Sequence, residues 1–186
     1  MDNPDYTASM PDWVPVSTSA RGRLTIAALE AFGKLGYDAV NVIELAGQAR
    51  VTTGSLYHHF GSKAGLYGFV RHDVEQRILD RMEGAAAVVA ADGPARRVRA
   101  TLMVAFDYAT AQGFARLLGE PNPGADADPI EAFLARLVGP RRKALAPLVA
   151  ATWRAALLVV AAGTPVASAR RALAAFGLDE DSLAAA

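Results

Sequence analysis

The spacing of its apolar residues constrains this chain more than any other feature. From Leu24 they recur as Leu24, Ala27, Ala28, Ala31, Phe32 and Leu35, at i, i+3, i+4, i+7, i+8 and i+11. That is one stripe on a helix of 3.6 residues per turn. The period returns in Leu66, Phe69, Val70, Val74, Ile78 and Met82, with Arg71, Asp73, Glu75, Arg77, Asp80 and Arg81 on the wet face. It returns again in Val98, Leu102, Ala105, Phe106 and Ala109. No stretch shows the strict alternation of a half-buried strand, and no repeat of solenoid length stands out. The chain reads as all-α.

Glycine, proline and short polar residues punctuate these helices. A first helix runs from Ala20 to Leu35 and stops at Gly36. Asn41 with Glu44 three residues on resembles a capping box that opens a second, carrying Val42, Leu45, Ala46 and Ala49. Thr52 caps a third over Thr53–Phe60, which Gly61 ends, and Ser62 caps a long fourth that runs to about Ala91. Pro94 follows Asp92-Gly93 and starts a helix over 95–112. Residues 119–129 hold three prolines and two glycines and form the clearest loop. Beyond it the pattern predicts helices over 129–138, 141–162 and 165–177. Residues 1–19 lack periodicity, carry Pro4, Pro11 and Pro15, and are expected to form a flexible tail.

Composition closes off several functions. A chain of 186 residues, 52% hydrophobic and 20% charged, makes one domain or two small ones. It has no cysteine, which excludes disulfides, thiolate zinc sites and cysteine nucleophiles. Three histidines leave little for a metal, and no metal or cofactor is expected. His58 and His59 diverge by about 100° on a helix and make a poor chelating pair. Lysine plus arginine equal aspartate plus glutamate at 19 each, so nucleic-acid binding has to come from a local patch. The acidic start, MDNPDYTASMPDW, lacks the apolar run of a secretory signal. Residues 144–163 approach the length of a membrane span, but Pro147 and Arg154 interrupt them, and a mid-membrane arginine costs roughly 2.5–3.5 kcal/mol or more. No membrane association and a cytoplasmic location are expected.

The stretch NVIELAGQARVTTGSLYHHF, residues 41–60, is two short helices joined by a tight turn. Helix-turn-helix units lay the second helix in the major groove of DNA while the first crosses the backbone. Gly54 lets backbone approach a phosphate, and Thr52, Thr53 and Ser55 offer short hydroxyls. Tyr57 and His58 reach further, to the groove walls. Leu56 and Phe60, four apart, turn inward and fix the helix on the core. Lys63 adds charge at a helix N-terminus, where phosphate is already favoured.

These residues resemble the TetR (tetracycline-repressor-type) family of one-component transcriptional regulators. Ala27–Tyr37, Leu45-Ala46, the run Val51–Phe60 and Ser62-Lys63 with Leu66 carry the resemblance, which covers residues 21–67. It implies an all-α fold of about nine helices. Residues 20–66 would be the DNA-binding domain and 67–186 the ligand-binding and dimerisation domain. It implies contacts to phosphates, base edges or groove walls from Thr52, Thr53, Ser55, Tyr57, His58 and Lys63, and the residues' own chemistry adds Asn41, Arg50 and Gly54 to the expected DNA-binding set. The partners implied are a double-stranded DNA operator, a small-molecule effector and a second copy of the chain, the homodimer forming through residues 141–177. Ligand binding would spread the two recognition helices and release the operator. The sequence departs from the family where Arg50 stands for a turn glycine, Thr53 for a lysine, and Ala64-Gly65 for the acidic residue after Lys63. A non-glycine residue held left-handed costs roughly 1–2 kcal/mol, so the turn at Arg50 is expected to differ or to be repaid by a phosphate contact.

An apolar ligand pocket lined by Phe69, Met82, Met103, Phe106, Phe114 and Trp153 is expected, with Asp107 or Arg154 able to orient a polar ligand group, although an interface or surface position suits each of the two better. Each of these aromatic or sulfur side chains also suits plain core. Asp107 and Arg154 are isolated charges in apolar runs and, if buried, need partners. The leading expectation is a repressor released from a palindromic operator by a small molecule. The alternative is a DNA-binding regulator or activator without an effector. No Gly-x-Ser-x-Gly elbow, phosphate loop, His-Glu-x-x-His or dinucleotide fingerprint supports an enzyme.

Overall fold

The structure, a computed structural model, describes residues 18–123 and 127–176. The tail expected at the N-terminus lies almost wholly outside the described residues. Among the described residues the secondary structure is nine α-helices and one short 3-10 turn, with no strand. They are α1 (Ala20–Leu35), α2 (Val42–Gln48), α3 (Thr53–Phe60), α4 (Lys63–Val88), α5 (Pro94–Ala111), α6 (Ala115–Gly119), α7 (Pro129–Val138), α8 (Leu145–Ala161) and α9 (Val166–Ala175).

Local chemistry sets most of the boundaries. Ser19, Asn41, Thr52, Ser62 and Asp128 each accept first-turn N–H groups at the starts of α1, α2, α3, α4 and α7. Pro94 and Pro129 occupy first helical positions, where the missing N–H costs nothing. The helix expected over 141–162 begins later, at Leu145, because Gly139 turns the chain with φ 83° and Pro140–Arg142 form the 3-10 turn. Pro147 then falls in the first turn of α8, where proline is tolerated. The short α6 is an addition to the sequence reading; five residues hold too little periodicity to announce a helix.

One continuous core joins the whole bundle. Leu24, Ala28 and Phe32 of α1 meet Leu66, Tyr67 and Val70 of α4, and the same cluster runs on through Phe106, Leu134 and Trp153. The division expected between residues 66 and 67 falls inside α4, whose 26 residues span about 39 Å. Helix α4 therefore runs unbroken from the three-helix N-terminal unit into the C-terminal bundle. Gly65 serves that junction. A Cβ there would collide with the carbonyl of Phe60, so the glycine that weakens the start of α4 by propensity lets α3 and α4 pack closely.

Candidate nucleic-acid interface

The α2–α3 unit is built from its caps outward. Asn41 Oδ1 accepts the N–H groups of Ile43 (2.8 Å) and Glu44 (3.4 Å), supplying the asparagine half of the expected box. Thr52 Oγ1 accepts the N–H of Ser55 at 3.2 Å. These two side chains are spent on capping, leaving the amide donors of Asn41 and the hydroxyl proton of Thr52 for a partner. Leu56 is wholly buried and anchors α3.

The turn before α3 does take the left-handed conformation, with Arg50 at φ 53°. Hydrogen bonds from Arg50 N–H to the Gly47 carbonyl and from Val51 N–H to the Ala46 carbonyl, both 3.0 Å, hold it. The backbone strain of roughly 1–2 kcal/mol is thus borne by the fold, and the exposed guanidinium remains available.

Around α3 the side chains of Arg50, Thr53, Ser55, Tyr57 and His58 make no hydrogen bond or ion pair among the described residues. Tyr57 and His58 are exposed, as is Gly54. Two N–H groups of the first turn, those of Thr53 and Gly54, are likewise free of backbone bonds. A row of short hydroxyls, unpaired amides, a phenol, an imidazole and a guanidinium is the donor set that phosphate oxygens accept from. Lys63 is less free. Its ammonium donates to the Asp38 carbonyl at 3.2 Å and sits 4.7 Å from the Tyr37 ring centroid, so it also ties α4 to the end of α1.

Two further arginines belong to this unit and were not singled out in the sequence. Arg23 Nε donates to the Ala49 carbonyl at 3.0 Å and staples α1 to the turn. Arg21 lies over Phe69 at 4.8 Å and Phe60 at 5.8 Å. Their basic spacing just after the Ser19 cap was the available signal.

Among the described residues, the side chains expected to line an apolar pocket are spread between surface, core and a shallow dent. Phe69 is exposed beside Phe60 and Arg21, because it lies in the second turn of α4, against the ends of α1 and α3. Met82, Phe106, Phe114 and Trp153 are buried core. Met103 lines a dent of about 10 Å³ between α5, α8 and α9. Asp107 turns outward, its two oxygens bound to Arg170 at 2.7 and 2.8 Å, and that carboxylate holds the Arg170 guanidinium above its ordinary pKa. Large side chains at these positions fill the interior they were expected to enclose.

The C-terminal half instead holds a polar cleft of about 190 Å³, lined by Arg71, Glu75, Asp128 and Arg154 with Pro121, Asn122, Ala127 and Pro129. Both arginines are paired, as buried charges require: Arg71 with Glu75 at 2.8 Å and Arg154 with Asp128 at 2.7 Å. Arg71 also binds the Tyr67 hydroxyl at 3.0 Å. Burial raises the Tyr67 phenol above its usual pKa, and the guanidinium opposes this only in part, so the group stays a neutral donor. No helix among the described residues is long and apolar enough to cross a membrane.

Residues 24–68 match the family model described as bacterial regulatory proteins, tetR family. Over 90 residues the chain is 37% identical to the HTH-type transcriptional activator FasR of Mycolicibacterium smegmatis, covering 47% of this chain and 39% of that protein. The chain thus matches well under half the length of this curated relative. Among solved structures, a TetR-family transcriptional regulator from Pectobacterium atrosepticum (ECA1819) superposes with a TM-score of 0.57 at 24% identity, covering 83% of this chain and 88% of that one. That likeness shows the fold. A TetR-family regulator from Streptomyces coelicolor A3 (SCO0857) gives a TM-score of 0.46 at 20% identity, over 84% and 93% of the two chains.

Proposed function

Through residues 24–68 the chain belongs to the tetR family of bacterial regulatory proteins, and from that premise we propose that it is a dimeric transcriptional regulator that grips a palindromic operator with two copies of α3 and lets go when a small molecule binds the C-terminal bundle. The observation that carries this reading is the uncommitted donor row of Arg50, Thr53, Ser55, Tyr57 and His58 on a helix anchored by Leu56. Asn41, Thr52, Gly54 and Lys63 complete the contact surface.

Dimerisation through residues 141–177 is supported by an unpartnered apolar stripe. Leu148, Ala151, Ala155, Leu158, Val159 and Ala162 lie exposed along α8, and Val166 continues the stripe onto α9. Ala151 and Ala155, four residues apart on one face of α8, let a second α8 approach closely. In this reading residues 20–66 bind DNA and residues 67–186 bind the effector and the second copy. The effector's release of the operator makes the protein a repressor. Activation is the second reading, and the name of the relative FasR favours it.

Selection of bound duplexes from a random pool, at near-physiological salt, tests the proposal. The expected product is a palindrome with half-sites spaced for a dimer. Weak, sequence-indifferent binding would overturn it. The position of the selected site relative to a promoter separates repression from activation.

A further inference from the structure

We propose that the polar cleft between α4, the start of α7 and α8 is the effector site, and that its ligand is a small zwitterion of the α-amino-acid type. This rests on the ligand-responsive reading above and names the chemistry of the ligand.

Four charged side chains line the cleft and cancel: Arg71 and Arg154 against Glu75 and Asp128. Arg71 and Glu75 are 1% and 4% exposed. Their hydrogen bonds leave a specific remainder. Arg71 spends Nε on Glu75 Oε1 at 2.8 Å. It spends Nη1 on the Tyr67 hydroxyl (3.0 Å) and on the carbonyls of Leu117 (2.8 Å) and Glu120 (2.6 Å). Its Nη2 binds nothing among the described residues, and neither does the second oxygen of Glu75. Asp128, by contrast, is saturated. One oxygen takes the N–H groups of Ile130 and Glu131, and the other takes Nε and Nη2 of Arg154 at 3.1 and 2.7 Å.

The cleft therefore offers guanidinium donors and one carboxylate acceptor, inside a set that is already neutral. A lone anion or cation there would leave a charge uncompensated against a lining that is already neutral and whose Arg71 and Glu75 are buried. A zwitterion adds no net charge. Its carboxylate takes the charge-assisted donors of the free Arg71 Nη2, while Arg154 stays bound to Asp128 and to the Leu118 carbonyl, and its ammonium donates to Glu75. At about 190 Å³ the cleft itself matches a small molecule, and past Glu75 and Pro129 it borders a wider surface hollow of about 590 Å³.

The same arginine is wired to the DNA-binding unit. Beyond its bond to the Glu120 carbonyl, the Glu120 side chain accepts the Tyr37 N–H at 3.1 Å, beside Gly36 at the end of α1. Gly36 has φ 81°, and a Cβ there would overlap the Glu120 carboxylate. A carboxylate that draws on Arg71 thus acts on the segment that caps α1, the helix on which α3 is packed.

Calorimetric titration of the full chain with each proteinogenic α-amino acid, beside the matching α-hydroxy acid and the matching amine, tests this. The expected result is that one amino acid or a related group binds, and that loss of either charge weakens binding about tenfold or more. Glu75→Gln should narrow the gap between the amino acid and its hydroxy acid. Ala127→Phe, at an exposed position on the rim, should block binding while leaving the melting temperature in place. Absence of binding by every amino acid, equal binding of a singly charged counterpart, or indifference to Ala127→Phe would each overturn the proposal. Duplex binding by the ligand-free protein is measured in parallel. If it is intact while amino acids fail, the ligand class falls and the regulator reading stands. If duplex binding itself is lacking, the regulator reading falls whatever the calorimetry shows.

Discussion

The three-helix unit before α4 and the bundle after it handle charge in opposite ways. Around α3, polar side chains stay at the surface and make few bonds of their own; Tyr57, His58 and Arg50 face solvent. In the bundle, Arg71 and Arg154 reach inward and bind carboxylates and backbone carbonyls far along the chain. Exposed, uncommitted donors suit a partner that is itself a polyanion, since phosphates supply the missing acceptors. Inward, committed charges suit a site that holds several helices together and admits only a matched guest. The contrast teaches that one fold can keep uncommitted surface donors and committed interior charges in separate regions.

The largest test of this contrast is Arg71→Met. It strands Glu75 without a partner in a buried site, so unfolding free energy should fall by about 3–5 kcal/mol. Denaturant melts measure it, and a loss below about 1 kcal/mol would mean that the pair does not hold the bundle. Arg50→Gly probes the opposite end. It removes left-handed strain and should raise stability by about 1 kcal/mol. It also deletes an expected phosphate contact, so the slope of log affinity against log salt should drop by about 1. Thr52→Ala removes the cap of α3 at a cost of about 1 kcal/mol, visible in a thermal melt, and should weaken duplex binding more than the melt alone explains. Arg170→Ala breaks an ion pair that is nearly half exposed on each side. Solvent screening limits the cost to about 0–1 kcal/mol, and a double-mutant cycle with Asp107→Ala measures it.

The two regions also differed in how legible they were. The bounds of α1 and α3 follow from Ser19, Gly36, Thr52 and Gly61, each acting within four residues of its own position. Turn and cap chemistry is local, so sequence carries it. The polar cleft joins Arg154 to Asp128 across 26 residues and Arg71 to Glu120 across 49. No periodicity records such pairings, and the same apolar spacing that marks a pocket wall marks a filled core. Trp153 and Phe106 are core for that reason, and Phe69 lies against the end of α3 because α4 begins there. The left-handed Arg50 was legible as a departure, but the two backbone bonds that hold it were not.

The most direct measurement is binding of the selected palindrome by the Tyr57→Ala/His58→Ala double variant beside the unaltered chain. Both side chains are exposed and make no hydrogen bond among the described residues, so the melting temperature should stay where it is. Affinity should fall severalfold or more as groove contacts are lost. An unchanged affinity, with the fold intact, would contradict the assignment of α3 as the surface that meets DNA.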